Sequence, residues 1–276
     1  MVHGTHVAGI IAGNGYSSRG RYAGIAPESN ILAIKALDKN GGGNSSNIIE
    51  AISYIIETKD RYNTKVINFS MGTPANSSCD KDPLCRAVEK AVQAGLVVVA
   101  AAGNSGPDRG TIVSPGTSKS VITVGAVDDK RTVDPSDDTI APFSSRGPTS
   151  EGYNKPDIVA PGVNINSLSN TKLDGYSSLS GTSMATPLIS GAVALLFNKY
   201  GNLSPKEVKS KLIKSSIDLK NSREMQGAGL LNLKLLFDEE GDISANNPPR
   251  SILFEGELFE SLIVILIILF LLDSRI

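Results

Sequence analysis

From about residue 5 to residue 235, short apolar runs alternate with stretches whose apolar residues recur at helical spacing. The runs ILAIKAL (31–37), KVINFS (65–70), LVVVAAA (96–102), VITVGAV (121–127) and DIVAPG (157–162) are predicted strands. Several are apolar at consecutive positions, which suits strands covered on both faces of a parallel sheet. The helices between them carry start and stop signals. Asp82-Pro83 offers an N-cap and a first helical residue, and Gly95 a stop. Ser204-Pro205-Lys206-Glu207 has capping-box spacing with a proline in the first turn. Strands alternating with helices imply βαβ units with right-handed crossovers. The expected fold class is therefore α/β, a three-layer, mostly parallel sheet flanked by helices. No internal repeat is visible.

The pattern changes after Phe237. Residues 238–242 and 246–249 look like a linker, and Leu262 to Leu272 reads LIVILIILFLL, an unbroken apolar run. The simplest division is one domain over 1–237, then a linker and apolar tail over 238–276. A spanning helix needs about 20 apolar residues, and extending this run upstream brings Glu260 into the hydrocarbon. A membrane anchor through 262–272 is accordingly the lesser reading, against a buried strand or helix or a tail foreign to the domain.

Composition adds exclusions. The chain has 276 residues, 40% hydrophobic and 20% charged, with a net charge of −1, enough apolar material for one sizeable core. Near-neutral charge without a run of Lys and Arg gives no reason to expect a nucleic-acid partner. Two cysteines, Cys79 and Cys85, are too few for a disulfide framework or a four-ligand metal site. They read as two free thiols, or as one local disulfide in an exported protein. No signal peptide is expected, because chemistry-bearing residues begin at position 3.

The chain has two histidines, His3 and His6, so any imidazole base must be one of them. They sit in His3-Gly-Thr-His-Val-Ala-Gly9 at the start of a predicted helix, without the HExxH spacing or nearby Cys and carboxylates of a metal site. Gly181-Thr-Ser-Met-Ala-Thr-Pro187 leads into the apolar helix LISGAVALLFNKY. Ser183 there is by default an N-cap, but a serine at a helix N-terminus also meets a field that favours a developing oxyanion. Ala101-Ala-Gly-Asn104 follows the most apolar strand and puts an amide at the carboxyl edge of a parallel sheet, where ligands bind in open α/β folds. Asn104 is either a turn residue or an oxyanion donor.

Together these three blocks resemble the His, oxyanion and Ser blocks of the subtilisin-like serine proteases, in that family's order. The resemblance runs on through Gly24-Ile-Ala-Pro27, Val66-Ile-Asn-Phe-Ser-Met-Gly72, Phe143-Ser-Ser-Arg-Gly-Pro148, Lys155-Pro-Asp-Ile-Val-Ala-Pro-Gly162 and Gly227-Ala-Gly-Leu-Leu-Asn232, covering roughly residues 1–236. It implies a serine endopeptidase working through an acyl-enzyme, with His3 as general base, Ser183 as nucleophile, Asn104 as oxyanion donor and His6 structural. Ser70, Met71 and Gly72 match the strand edge that pairs with an extended polypeptide, and Ala102 and Gly103 the facing segment. Val113 matches the floor of the main specificity pocket, which is expected to be modest and apolar. The 80–95 helix and the 133–137 loop resemble an intracellular bacterial branch, implying a cytoplasmic monomer; membrane anchoring through the tail is the alternative. No cofactor is implied. Calcium belongs to the family, but no site for it is identifiable and no acidic cluster stands out.

The family order is Asp, His, Ser, with the aspartate on a central strand ahead of the histidine. Only Met1 and Val2 precede His3 here, so the sequence reads as N-terminally truncated and lacks both that carboxylate and its strand. Loss of the orienting carboxylate is costly in such a site, and loss of the strand exposes a sheet edge. The chain as written is therefore expected to turn over little and to aggregate. The alternative is an inactive remnant or a peptide-binding pseudo-protease. An α/β-hydrolase is excluded, since no histidine follows Ser183.

Overall fold

The computed structural model describes residues 3–36, 42–171 and 175–238. The apolar run 262–272 and the linker before it lie outside the described residues. Among the described residues, no helix is long and apolar enough to cross a membrane.

The apolar runs form strands β1 (Val66–Phe69), β2 (Val97–Ala101), β3 (Ile122–Asp128) and β5 (Ile158–Pro161), with the short β4 (Thr139–Ile140) between the last two. β1, β2, β3 and β5 lie side by side and parallel, and β4 runs antiparallel to β3. Later in the chain, β8 (Ser216–Ile217) and β9 (Leu230–Leu231) extend the sheet beyond β5 in the order β9, β8. The period of two sorts each strand's side chains between two helical layers. Val66, Val97, Val99, Val124 and Ala160 meet α4 (Thr182–Tyr200) and α5 (Pro205–Lys214) on one face. Ile67, Phe69, Val98 and Ala100 meet α2 (Ser45–Tyr62) and α3 (Pro83–Gln93) on the other. Each fully buried Ile, Leu, Val or Phe contributes about 1.5–3 kcal/mol. Consecutive apolar residues are what this two-sided burial requires, and the three-layer α/β expectation holds.

The helix boundaries follow the local signals. Asp82 Oδ1 accepts from Leu84 N at 2.8 Å and Cys85 N at 3.3 Å, Pro83 opens α3, and Gly95 follows its end at φ +90°. Ser204 and Glu207 form the reciprocal capping box of α5.

The first run departs from expectation. Residues 31–36 form no strand, although Ile31 and Ile34 pack on core clusters. A strand exists only through a partner's N–H and C=O groups, and none is in register with this run among the described residues. β1 accordingly ends the sheet, yet all four of its residues are fully buried. A two-stranded antiparallel ribbon, β6 (Ile165–Ser169) with β7 (Gly175–Leu179), stands apart from the main sheet. Its serine-rich strands, INSLS and GYSSL, carry too few apolar residues to announce themselves. The ribbon supports α1 (His3–Ala12), whose Val7, Ile10 and Ile11 cluster with Ile165, Leu179 and Met184 of α4.

Candidate active site

The packing of α1 around Met184 sets the helix that begins at His3 against the start of the helix that carries Ser183. His6 is fully buried, and its Nε2 lies 3.0 Å from both Ile165 O and Ser177 O. Two carbonyl acceptors require an N–H at Nε2, which leaves Nδ1 unprotonated and without a partner. His6 thus ties α1 to the ribbon. His3 makes no side-chain hydrogen bond among the described residues. Desolvation, and then the charge of His6, hold its pKa below the ordinary 6.5, and no carboxylate contributes. At neutral pH His3 is a free base.

Ser183 is the second residue of α4 and the only half-exposed one among its immediate neighbours Gly181 to Pro187. Its Oγ donates to Ser70 O at 3.1 Å, not to His3. Ser70 Oγ returns the contact, donating to Ser183 O at 3.0 Å. That carbonyl is open because Pro187, four residues on, has no N–H to give it. The proline of the Ser block therefore lets the start of α4 bond sideways to the exit of β1. Ser70 Oγ accepts in turn from Asn68 Nδ2 at 2.8 Å, and Asn68 Oδ1 accepts from Ser190 Oγ at 2.9 Å. Asn68 and Ser190 are fully buried, and sequence reasoning passed over both. The available signal was a polar residue inside the otherwise apolar VINF strand.

Asn104 leaves β2 after Gly103, whose φ of +108° favours glycine. Its Oδ1 accepts from Thr182 N at 2.9 Å and Thr182 Oγ1 at 3.0 Å, while Thr182 Oγ1 accepts from Gly103 N at 3.2 Å. With the oxygen occupied, the amide points its Nδ2 toward Gly181. The position that a Cβ would take on Gly181 lies 3.3 Å from Asn104 Nδ2 and 3.7 Å from Ser183 N. A side-chain amide nitrogen and a helix N-terminal nitrogen thus both lie beside Gly181, with Asn104 Oδ1 3.8 Å from the same point.

The segments 70–72 and 102–104 flank Val113. A Cβ on Gly72 would collide with Val113 Cγ2, and one on Gly103 would lie 2.7 Å from Val113 Cγ1. Val113 N donates to Ala102 O at 3.0 Å, and next to it Ser114 pairs through both backbone groups with Thr73. Val113 therefore packs between the two glycine-bearing segments. Ser70, Met71, Gly72, Ala102, Gly103, Asn104, Val113 and Ser183 are gathered at one edge of the sheet.

Asp128, Asp129, Asp134, Asp137 and Asp138 do draw together beyond β3, where burial, then neighbouring charges beginning with Asp129, raise the Asp138 pKa. Three of them are engaged, however: Asp128 with Lys130, Asp134 with Ser136, and Asp137 with Thr132. Among the described residues, no group of three or more His, Cys, Asp or Glu is arranged to hold a metal ion.

Comparison with known proteins gives a consistent result. Serine protease AprX of Bacillus subtilis (strain 168) is 46% identical over 249 residues, covering 83% of this chain but 56% of its own length. The chain thus spans little more than half of that relative. Subtilisin DY of Bacillus licheniformis is 40% identical, covering 84% of this chain and 76% of its own. The intracellular serine protease of Paenibacillus polymyxa is 39% identical, with 84% and 66% covered. Among solved structures, sphericase superposes with a TM-score of 0.74 at 33% identity, covering 83% of this chain and 76% of that one. The family model described as the subtilase family matches residues 1–229, which take in the His, oxyanion and Ser blocks alike. On a match of that extent, this chain belongs to the subtilase family.

Proposed function

We propose that residues 1–237 form one peptidase domain that hydrolyses peptide bonds in extended polypeptides through an acyl-enzyme on Ser183. An extended chain lies beside 102–104 and pairs with the 70–72 segment, the backbone groups of Ala102 and Gly103 being already bonded within the fold. His3 takes the Ser183 hydroxyl proton once the hydroxyl turns from Ser70 O. Oγ then attacks the scissile carbonyl, and the oxyanion forms between Asn104 Nδ2 and Ser183 N. His3 returns the proton to the leaving amine, and water repeats the sequence to release the acyl group. The Val113 floor admits a small apolar side chain at the residue before the cut. The chemistry runs on side chains and backbone N–H groups and calls on no cofactor. Similarity to the intracellular protease of P. polymyxa supports a cytoplasmic setting.

The observation that carries this reading is that Asn104 Nδ2 and Ser183 N both lie beside Gly181. A fluorophosphonate probe tests it, because it labels only an activated serine. Labelling at Ser183 is expected, absent in Ser183→Ala. In Asn104→Ala it should be slower by about 10²–10³, the factor known for loss of this donor in a subtilisin.

A second reading is a peptide-binding protein without turnover. It is favoured by Ser183 Oγ bonding to Ser70 O and by the lack of any carboxylate among the groups that shift His3. Saturable binding of an extended peptide together with no probe labelling would establish it instead.

A further inference from the structure

Cys79 and Cys85 lie on either side of the turn that starts α3. Asp82, between them, caps the helix through the backbone of Leu84 and Cys85 and folds the chain back on itself. Both thiols are buried and free, and they share one face of α3: Cys79 Sγ reaches Glu89, one helical turn beyond Cys85, and each thiol is the leading influence on the other's ionisation.

Their surroundings differ. Cys85 is the third residue of α3, where unpaired helix N–H groups favour an anion. Its Sγ lies 3.2 Å from Thr117 Oγ1, and Ser114 Oγ donates to it at 4.0 Å. The influence of Cys79 first, and these hydroxyls after it, outweigh burial and the nearby Asp82 charge, which push the other way, and hold the Cys85 thiol below its usual range. Cys79 Sγ instead donates to Glu89 Oε1 at 3.6 Å, and its thiol is pushed up. One sulfur is set up to lose its proton, and the other keeps its own beside a carboxylate. Thr117, in contact with Cys85, also lines a cavity of about 400 Å³ with Ala75, Ile112 and Thr149, wide enough to admit a small oxidant.

We propose that Cys79 and Cys85 are a modification site, a thiol pair that a hydroperoxide closes into an intrachain disulfide. The Cys85 thiolate attacks one peroxide oxygen, the O–O bond breaks, and the departing hydroxide takes up a proton to become water. The resulting Cys85 sulfenic acid is attacked by Cys79 sulfur as Glu89 takes the Cys79 proton. The S–S bond forms, the S–O bond breaks, and a second water leaves with that proton. Two thiols lose two electrons, and one hydrogen peroxide becomes two waters. The disulfide closes behind the cleft wall. From Cys79 the chain runs back to Thr73, which pairs with Ser114 beside Val113.

The test treats the full chain with one equivalent of hydrogen peroxide and maps the product by mass spectrometry. The expected product is lighter by two hydrogens, with a dithiothreitol-sensitive peptide joining Cys79 to Cys85. Its Tm is expected to rise by about 5 °C, as for a short closed loop in a domain of this size. Cys79→Ser should stop at a dimedone-reactive Cys85, and Glu89→Gln should slow closure but not sulfenic acid formation. Retention of both thiols, sulfenic acid on Cys79 alone, or a cross-link only between two chains would overturn the proposal. The wild-type map decides even if a variant fails to fold.

Discussion

Asn104 uses its side-chain oxygen and nitrogen for different ends. The oxygen is held by Thr182 N and Oγ1, and that double contact fixes the orientation of the nitrogen. A neighbouring residue, Val113, sets the room available rather than the chemistry. Its methyls stand where Cβ atoms on Gly72 and Gly103 would be, so Val113→Gly opens the floor without touching Ser183. Cleavage profiling should show preference moving toward larger apolar residues before the cut, by about 10- to 200-fold in relative kcat/KM. Unchanged preference would mean that the pocket lies elsewhere. The sequence offers His3, Asn104 and Ser183 as candidates because each sits in a short block whose neighbours constrain it. Asn68 left only a polar residue inside an apolar strand as its trace, and nothing local marks its partner Ser190, 122 positions away.

At the scale of elements, helix ends were easier to read than strand partners. Asp82 and Ser204 act on amides two or three residues away, so the signal and its effect share one short segment. Asp82→Ala removes an acceptor from two N–H groups of α3 and should cost about 1 kcal/mol. A guanidinium titration would show this as a lower midpoint with unchanged slope. The run at 31–36 has the composition of a strand but not the ladder, since pairing depends on a neighbour that its own residues do not specify. The β6–β7 ribbon is the converse, a paired structure with few apolar residues. Its ladder partners lie at symmetric positions, Ile165 with Leu179 and Ser169 with Gly175. Pro187 shows a residue that ordinarily disrupts a helix doing positional work, by freeing the Ser183 carbonyl for Ser70.

Across the whole molecule, one buried charge cluster joins the sheet to α5. Lys155, 2% exposed, donates to Val121 O, Thr123 Oγ1 and Asp157 Oδ2, while Lys209 of α5 reaches Asp157 Oδ1 at 2.8 Å. Burial pushes the Asp157 pKa up, but the two lysine charges outweigh it and hold the carboxyl below its ordinary value. Stability from this group is full above the ordinary carboxylate value and is lost as pH falls through the lower, folded one. Both histidines act in the same direction at higher pH. They are held below 6.5, so the unfolded chain takes up protons that the folded one refuses. Urea midpoints should therefore fall in two stages, first below about pH 6.5 and again below about pH 4. Asp157→Asn should cost about 3–5 kcal/mol and diminish the second stage, which Asp80, Asp128, Asp134, Glu207 and Asp218, also held below their ordinary values, share. The edge position of β1 has a consequence of another kind. Val97 N donates to Lys65 O, so by strand alternation Ile67 and Phe69 turn their N–H groups toward β2, and Val66 and Asn68 turn theirs away. All four residues are equally inaccessible. In deuterated solvent, the Val66 and Asn68 amides should nonetheless exchange before those of Ile67 and Phe69, an isotope pattern of period two along a strand that burial alone would leave uniform.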